Sequence, residues 1–236
     1  MTKTILITAG PTIESIDPIR YISNYSTGKM GYALAEECVR RGFRVILVSG
    51  PTQLTPPKNC KFVAVKTARE MQSAVLSYFG RADLIFKVAA VADYHVLNPA
   101  KKKIKKTKKV LTLKLGKNPD ILKHLGTIKK PNQILVGFAA ETHQGVKYAR
   151  GKLKEKNLDF ICLNVIKKKN VGFGSDKNQV TIIASDGRKI DIPKKNKNDV
   201  AKIIVNTVLN IHPDERSRFD FTSFIKLPLL RFISKK

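Results

Sequence analysis

A mostly parallel α/β sheet with helices on both faces is the architecture that this 236-residue sequence predicts. Three observations carry the prediction. Short apolar runs of strand length alternate with amphipathic stretches of ten or more residues. Several of the runs are apolar almost throughout, as strands covered on both faces are. Most stop at glycine, proline or small polar residues that turn the chain.

Thr4–Ala9 is apolar and stops at Gly10-Pro11, a strand and a turn. Ile13–Ser23 reads as a long polar loop. Gly28–Arg41 places Met30, Leu34 and Cys38 at i, i+4 and i+8, one helix face, with Arg40-Arg41 and Gly42 as stop signals. Val45–Val48 is a second strand, closed by Ser49-Gly50-Pro51, and Phe62–Val65 a third. A helix follows from about Ala68 to Tyr78. Leu84–Ala92 is a long apolar strand ending in Asp93. Beyond a lysine-rich loop, Val110–Leu115 alternates as a strand does. Asn118 is placed to cap a helix reaching about Leu125, with Pro119 at its first position and Asp120 in its first turn. Ile134–Ala140 is a strand, Gln144–Lys156 a helix with Val146, Ala149 and Leu153 inward, and Phe160–Val165 the last buried strand. Gln179–Ala184 and Lys189–Ile192 form a hairpin around Ser185-Asp186-Gly187. Asn198–Ile211 is a closing amphipathic helix. The tail Pro213–Lys236 mixes charge with phenylalanine, a composition for docking on the body, pairing with a partner or lying on an anionic membrane, and it suits docking or disorder better than a membrane surface.

Charge and cysteine content bound the function. Lys+Arg number 45 against 18 Asp+Glu, a net charge of +27, which draws anions: nucleic acid, an acidic membrane surface or a phosphorylated small molecule. A general lysine preference explains the same number. The runs at Lys101–Lys103, Lys105-Lys106, Lys108-Lys109, Lys167–Lys169 and Lys194-Lys195 carry few interleaved aromatics, so no stacking platform for single strands is evident. No stretch of 18 apolar residues exists to span a membrane. Met1-Thr2-Lys3-Thr4 runs straight into a strand without a leader, and a cytoplasmic location is expected. Three scattered cysteines, Cys38, Cys60 and Cys162, argue against a disulfide framework or a zinc site.

In an open parallel sheet the chemistry sits at the carboxyl ends of the strands. After the first strand, Asn24-Tyr25-Ser26-Thr27-Gly28-Lys29 leads small and hydroxyl residues into a helix start, where free N–H groups attract an anion. The glycine spacing matches neither G-x-G-x-x-G nor the P-loop. Ala89-Ala90-Val91-Ala92-Asp93 and Phe138-Ala139-Ala140-Glu141 end two further strands with small residues and a carboxylate. Asp93 suits a ribose hydroxyl, a base amine or a metal, or simply caps a turn. Lys152 and Lys156 lie one helical turn apart, positioned to neutralise a triphosphate or to face solvent. The histidines are scattered and no G-x-S-x-G elbow exists. This inventory suits positioning and phosphate neutralisation rather than a side-chain nucleophile.

Nine motifs then stand in a recognisable order: ITAGPT (7–12), DPIRYISNYSTGKMG (17–31), VSGPT (48–52), AAVADY (89–94), KIKK (103–106), KNPDIL (117–122), GFAAET (137–142), NLDFICLN (157–164) and GFGSDKN (172–178). Over roughly residues 3–210 the chain resembles phosphopantothenate–cysteine ligase. The resemblance implies a Rossmann-like domain over 1–212, a tail over 213–236 without a counterpart, and a small antiparallel hairpin or flap for dimerisation. It implies ligation of 4′-phosphopantothenate to L-cysteine with CTP and Mg²⁺ through an acyl-cytidylate, in a homodimer, with ATP an alternative nucleotide. Carried over by motif, Asn24 contacts phosphopantothenate and the acyl intermediate, Ala89 and Ala90 line that pocket, and Arg20 reaches a neighbouring subunit's site. Asp93, Lys117, Asn118, Pro119, Asp120, Phe138, Lys152 and Lys156 match nucleotide positions, and Lys103 the flap lysine needed for turnover. Metal ligands and the cysteine-binding residue are unassigned. The chain looks like a stand-alone form, so no flavin is expected. A nicotinamide-dependent reductase would share the fold without its glycine fingerprint, and a basic nucleic-acid-binding protein would explain the charge; neither accounts for the ordered motifs.

Overall fold

The computed structural model describes residues 2–106, 109–141, 143–165 and 175–211. The tail over 213–236, the lysine run at 167–169, Thr142, and the first residues of the 172–178 motif lie outside the described residues.

The elements in chain order are β1 (Thr4–Ala9), β2 (Ile13–Ser15), β3 (Tyr21–Ser23), α1 (Lys29–Arg40), β4 (Arg44–Ser49), β5 (Lys61–Ala64), α2 (Ala68–Phe79), β6 (Leu84–Lys87), β7 (Tyr94–Val96), β8 (Leu115–Lys117), α3 (Ile121–Ile128), β9 (Ile134–Glu141), α4 (Gly145–Glu155), β10 (Phe160–Val165), β11 (Lys177–Ala184), β12 (Lys189–Asn196) and α5 (Lys197–Asn210). The central sheet has the order β12-β11-β10-β9-β6-β1-β4-β5. β10, β9, β6, β1, β4 and β5 pair in parallel, and β11 and β12 add an antiparallel edge. The predicted architecture is therefore the observed one.

Alternation along the strands splits the core into two layers. Ile5, Ile7, Leu47, Leu84 and Phe86 face α1 and α5. Leu6, Ile46, Val48, Ile85 and Leu135 face α2, α3 and α4. Leu6, Ile7, Ile85 and Phe86 are wholly buried, each stabilising the fold by about 1.5–3 kcal/mol. The close seat of α1 on β1 depends on Gly31, where a Cβ would lie 2.6 Å from the Ala9 Cβ. All three cysteines are free thiols, and burial pushes Cys38 up to about 12.

Four local expectations are corrected. The strand at Leu84–Ala92 ends at Lys87, because the N–H groups of Val88 and Ala89 both donate to Thr8 Oγ1 instead of continuing the ladder. The polar loop at Ile13–Ser23 contains the β2–β3 hairpin. The strand expected at Val110–Leu115 is displaced to β8, which pairs with β7; Val110 and Leu111 lie exposed, with no partner strand among the described residues to bury them. The α3 cap is Asp120, whose carboxylate accepts from Lys123 N–H, while Asn118 is drawn onto the strand-end loop.

Candidate active site

β1 leads to β4 and β5 on one side, while β6, β9 and β10 extend the sheet on the other. Strand order thus reverses between β1 and β6, and the crevice outside their carboxyl ends is where an open α/β sheet receives its ligand. Loops from both sides are stitched together there. Thr12 Oγ1 accepts from Ala92 N–H at 2.9 Å, Ala90 N–H donates to Gly10 O, and the Ala90 carbonyl accepts from Thr12 N–H and from Asn24 Nδ2.

Two cavities open in this crevice. The first, of about 340 Å³, is lined by the Ser26–Gly31 turn, the Val88–Val91 segment, Asp93, Phe138–Ala140, Asn164, Asn178 and Lys197. Gly28 caps α1 at φ +79°, a conformation glycine adopts freely, and no side chain caps the helix start. The first-turn N–H groups make this end of the crevice attractive to an anion, and beside them Lys29 is ion-paired with Asp176 and Lys197 Nζ donates to Ser175 O. The second, of about 230 Å³, is lined by Lys87, Asn118–Leu122 and Lys156. Ala89, Val91, Asp93 and Phe138 line both, so the cavities share one wall.

In the second cavity Lys156 Nζ lies 2.8 Å from Asp120 Oδ2. Burial alone would raise the Asp120 carboxyl; the Lys156 contact and the Lys123 N–H outweigh it and lower it. Asn118 Nδ2 donates to Ala92 O at 2.8 Å and its backbone N–H to Asp93 O, while its Oδ1 is buried without a partner among the described residues. Lys87, next to Thr8 on β1 and Gly137 on β9, is 6% exposed. Burial pulls its ammonium down to about 7, with Lys156 adding repulsion and Asp120 partly offsetting both.

These contacts belong to a chain with known relatives. Residues 1–211 match the model of the DNA/pantothenate metabolism flavoprotein C-terminal domain. The chain belongs to that family. It is 49% identical over 218 residues to the coenzyme A biosynthesis bifunctional protein CoaBC of Bacillus subtilis (strain 168), covering 91% of this chain and 53% of that protein. It therefore spans about half the length of the curated relatives it matches. A crystal structure of the C-terminal domain of the coenzyme A biosynthesis bifunctional protein CoaBC superposes with a TM-score of 0.76 at 42% identity, over 90% of this chain and 97% of that one. The DNA/pantothenate metabolism flavoprotein from Streptococcus pneumoniae shares the fold, with a TM-score of 0.75 at 21% identity, over 90% and 100%.

Within this DNA/pantothenate metabolism flavoprotein C-terminal domain, the crevice gathers Ala89, Ala90, Asp93, Asn118, Pro119, Asp120, Phe138 and Lys156. Asn24 joins them through Ala90. Besides Asn24, which lines neither cavity, four expected residues stand outside both in the single chain. Lys117 lies in β8, and Lys152 is paired with Glu141 at 2.6 Å. Arg20 is held by Asp17 through Nε at 3.0 Å and Nη2 at 2.5 Å, and its Nη2 also donates to Ile104 O. Lys103 is exposed beside Ile104, whose N–H donates to Asp17 Oδ2 at 3.1 Å. Sequence reasoning missed Lys87, Lys197, Asn164 and Asn178 as cavity residues. For Lys87 a signal existed: a lone charge inside an apolar strand.

Proposed function

We propose that this chain is a phosphopantothenate–cysteine ligase, joining 4′-phosphopantothenate to L-cysteine with CTP and Mg²⁺ as a homodimer, and that residues 1–212 form its ligase domain. One observation carries the reading. Two cavities meet at a shared wall of small residues, Asp93 and Phe138, beside an uncapped helix start, which is the arrangement needed to bring a carboxylate against the phosphate of a bound nucleotide. The ordered motifs and the coenzyme A biosynthesis relatives support it.

In the first step a carboxylate oxygen of phosphopantothenate attacks the α-phosphorus of CTP; the bond to the bridging oxygen breaks and pyrophosphate leaves. In the second, the cysteine amine attacks the acyl carbon and loses a proton, the carbon–oxygen bond breaks, and the amide and CMP are released. Neither step changes an oxidation state, so the reaction draws on no flavin.

Each residue has a part set by its chemistry. Ala89 and Ala90 let substrate approach the backbone, and the Asn24 amide both donates and accepts at the pantothenate end. Phe138 gives the base a surface to pack on, and Asp93 takes the ribose. Asp120 and Lys156 with the Lys117–Pro119 segment form the nucleotide wall, and Lys152 adds positive charge behind it. Lys103 closes from the flap, and Arg20 crosses to the neighbouring subunit. The exposed apolar side chains of Tyr21, Leu97, Val110 and Leu115 lie on and beside the paired β2–β3 and β7–β8 ribbons and suit a face shared by two copies. Mg²⁺ fits as an ion carried by the triphosphate: it needs only one or two protein carboxylates, and Asp93 stands at the shared wall. When bound it offsets triphosphate charge.

Mass spectrometry of reactions holding phosphopantothenate, cysteine, Mg²⁺ and each of the four nucleoside triphosphates tests this. Phosphopantothenoylcysteine should form fastest with CTP. Folded protein that forms none with any nucleotide overturns the reading.

A further inference from the structure

Lysine is almost never fully buried unless paired. Lys87 is buried at the carboxyl end of β6 and lines the second cavity, yet no carboxylate among the described residues lies within 4.0 Å of its Nζ. The nearby Asp120 carboxylate is already engaged by Lys156 and by Lys123 N–H. The same cavity holds the buried Asn118 Oδ1, an acceptor with no partner among the described residues. A buried acceptor such as this is costly when unpartnered, and the Lys87 ammonium facing the same cavity has no carboxylate among the described residues paired with it. A donor and an acceptor left open in one cavity therefore call for a ligand with a matching acceptor and donor.

Which part of the ligand supplies them follows from the rest of the crevice. The uncapped α1 start favours phosphate in the first cavity. The second is walled by Phe138, Pro119, Ile121 and Leu122, apolar surfaces suited to a flat ring. Nucleobases carry ring acceptors next to exocyclic amino or keto groups on one edge. We propose that Lys87 is a specificity-determining residue that donates to an acceptor on the nucleobase edge, with Asn118 Oδ1 accepting from the neighbouring base N–H. This rests on the ligase reading only in taking the occupant to be a nucleotide.

The base-less triphosphate separates this role from general phosphate attraction. Binding of CTP and of inorganic tripolyphosphate to the intact chain is measured by calorimetry for wild type, Lys87→Met and Lys87→Gln. Lys87→Met should weaken CTP about ten- to a hundredfold and leave tripolyphosphate within about twofold, and Lys87→Gln, which keeps an N–H donor, should recover part of the loss. Thermal melts confirm that each variant is folded. Equal weakening of both ligands would assign Lys87 to phosphate charge and overturn the proposal, as would unchanged CTP binding in Lys87→Met. Wild type that binds tripolyphosphate but not CTP more tightly also overturns it, whereas wild type that binds neither removes the nucleotide reading itself, and this inference with it.

Discussion

The side-chain amide of Asn24 donates to the main-chain carbonyl of Ala90 across 3.0 Å, fastening the loop before α1 to the end of the β6 segment. The contact joins two chain regions 66 residues apart at the mouth of the first cavity. Replacing the donor by a carboxylate would set two acceptors face to face and add repulsion toward an anionic substrate. Asn24→Asp should therefore lower kcat at least about tenfold, since a charge-assisted hydrogen bond from the amide to the anionic substrate is worth roughly 1.5–3 kcal/mol. Steady-state pyrophosphate release measures it, and wild-type kinetics would remove Asn24 from the site.

Arg20 is turned onto Asp17 within its own chain, and its hydrogen bonds hold that carboxyl well below the usual carboxylate range. If the same loop serves a partner's site, light scattering should give about twice the 26.4 kDa chain mass. Equal mixing of inactive Arg20→Ala and inactive Asn24→Asp protomers should then restore about a quarter of wild-type activity, since half the dimers are mixed and each carries one intact site. No recovery from dimers shown to exchange would place both residues in one subunit's site.

Lys103 follows two other lysines on an exposed loop, and its neighbour Ile104 is pinned to Asp17 and Arg20. A lysine that reaches the reacting phosphate only at turnover affects kcat more than nucleotide binding. Lys103→Gln should lose about a hundredfold or more in kcat, while Lys101→Gln and Lys102→Gln stay near wild type at moderate salt. Three equal, modest losses reproduced by added salt would make the loop an electrostatic funnel instead.

Lys87 sets a pH signature on stability. Its native value is about 7 against 10.5 for the ordinary group, so between those values the unfolded chain holds the extra proton and stability rises with pH. Below pH 7 both states are protonated and the burial cost is felt in full. Lys87→Met should melt above wild type at pH 6, and the gap should close as pH approaches 10. A gap that is constant with pH would show that Lys87 is not held at a depressed value.

Burial decided how much of this was legible in the residues. Thr4–Ala9 and Phe160–Val165 match β1 and β10 at both ends because a strand covered on two faces is apolar almost throughout. The three-residue strands β7 and β8 carry exposed Tyr94 and Leu115, so no periodicity distinguishes them from loop. Asn118 and Asp120 are both good caps by type; tertiary hydrogen bonds to Ala92 and Asp93 gave Asn118 other work and left the cap to Asp120. At the site, Asp93 was readable as the carboxylate closing the apolar run that begins with β6, and Phe138 as the start of the small-residue stretch that ends β9. Lys152 was not: helical spacing put it level with Lys156, but the pairing with Glu141 depends on the distance between α4 and the end of β9.

Oxygen transfer tests the central claim most directly. Phosphopantothenate carrying ¹⁸O in its carboxylate is turned over with CTP and cysteine, and the products are weighed by mass spectrometry. Attack of that carboxylate on the α-phosphorus predicts one ¹⁸O in the released CMP and the other in the amide carbonyl. Unlabelled CMP, with ¹⁸O found in inorganic phosphate or lost to water, would contradict an acyl-nucleotide formed across the shared wall of the two cavities.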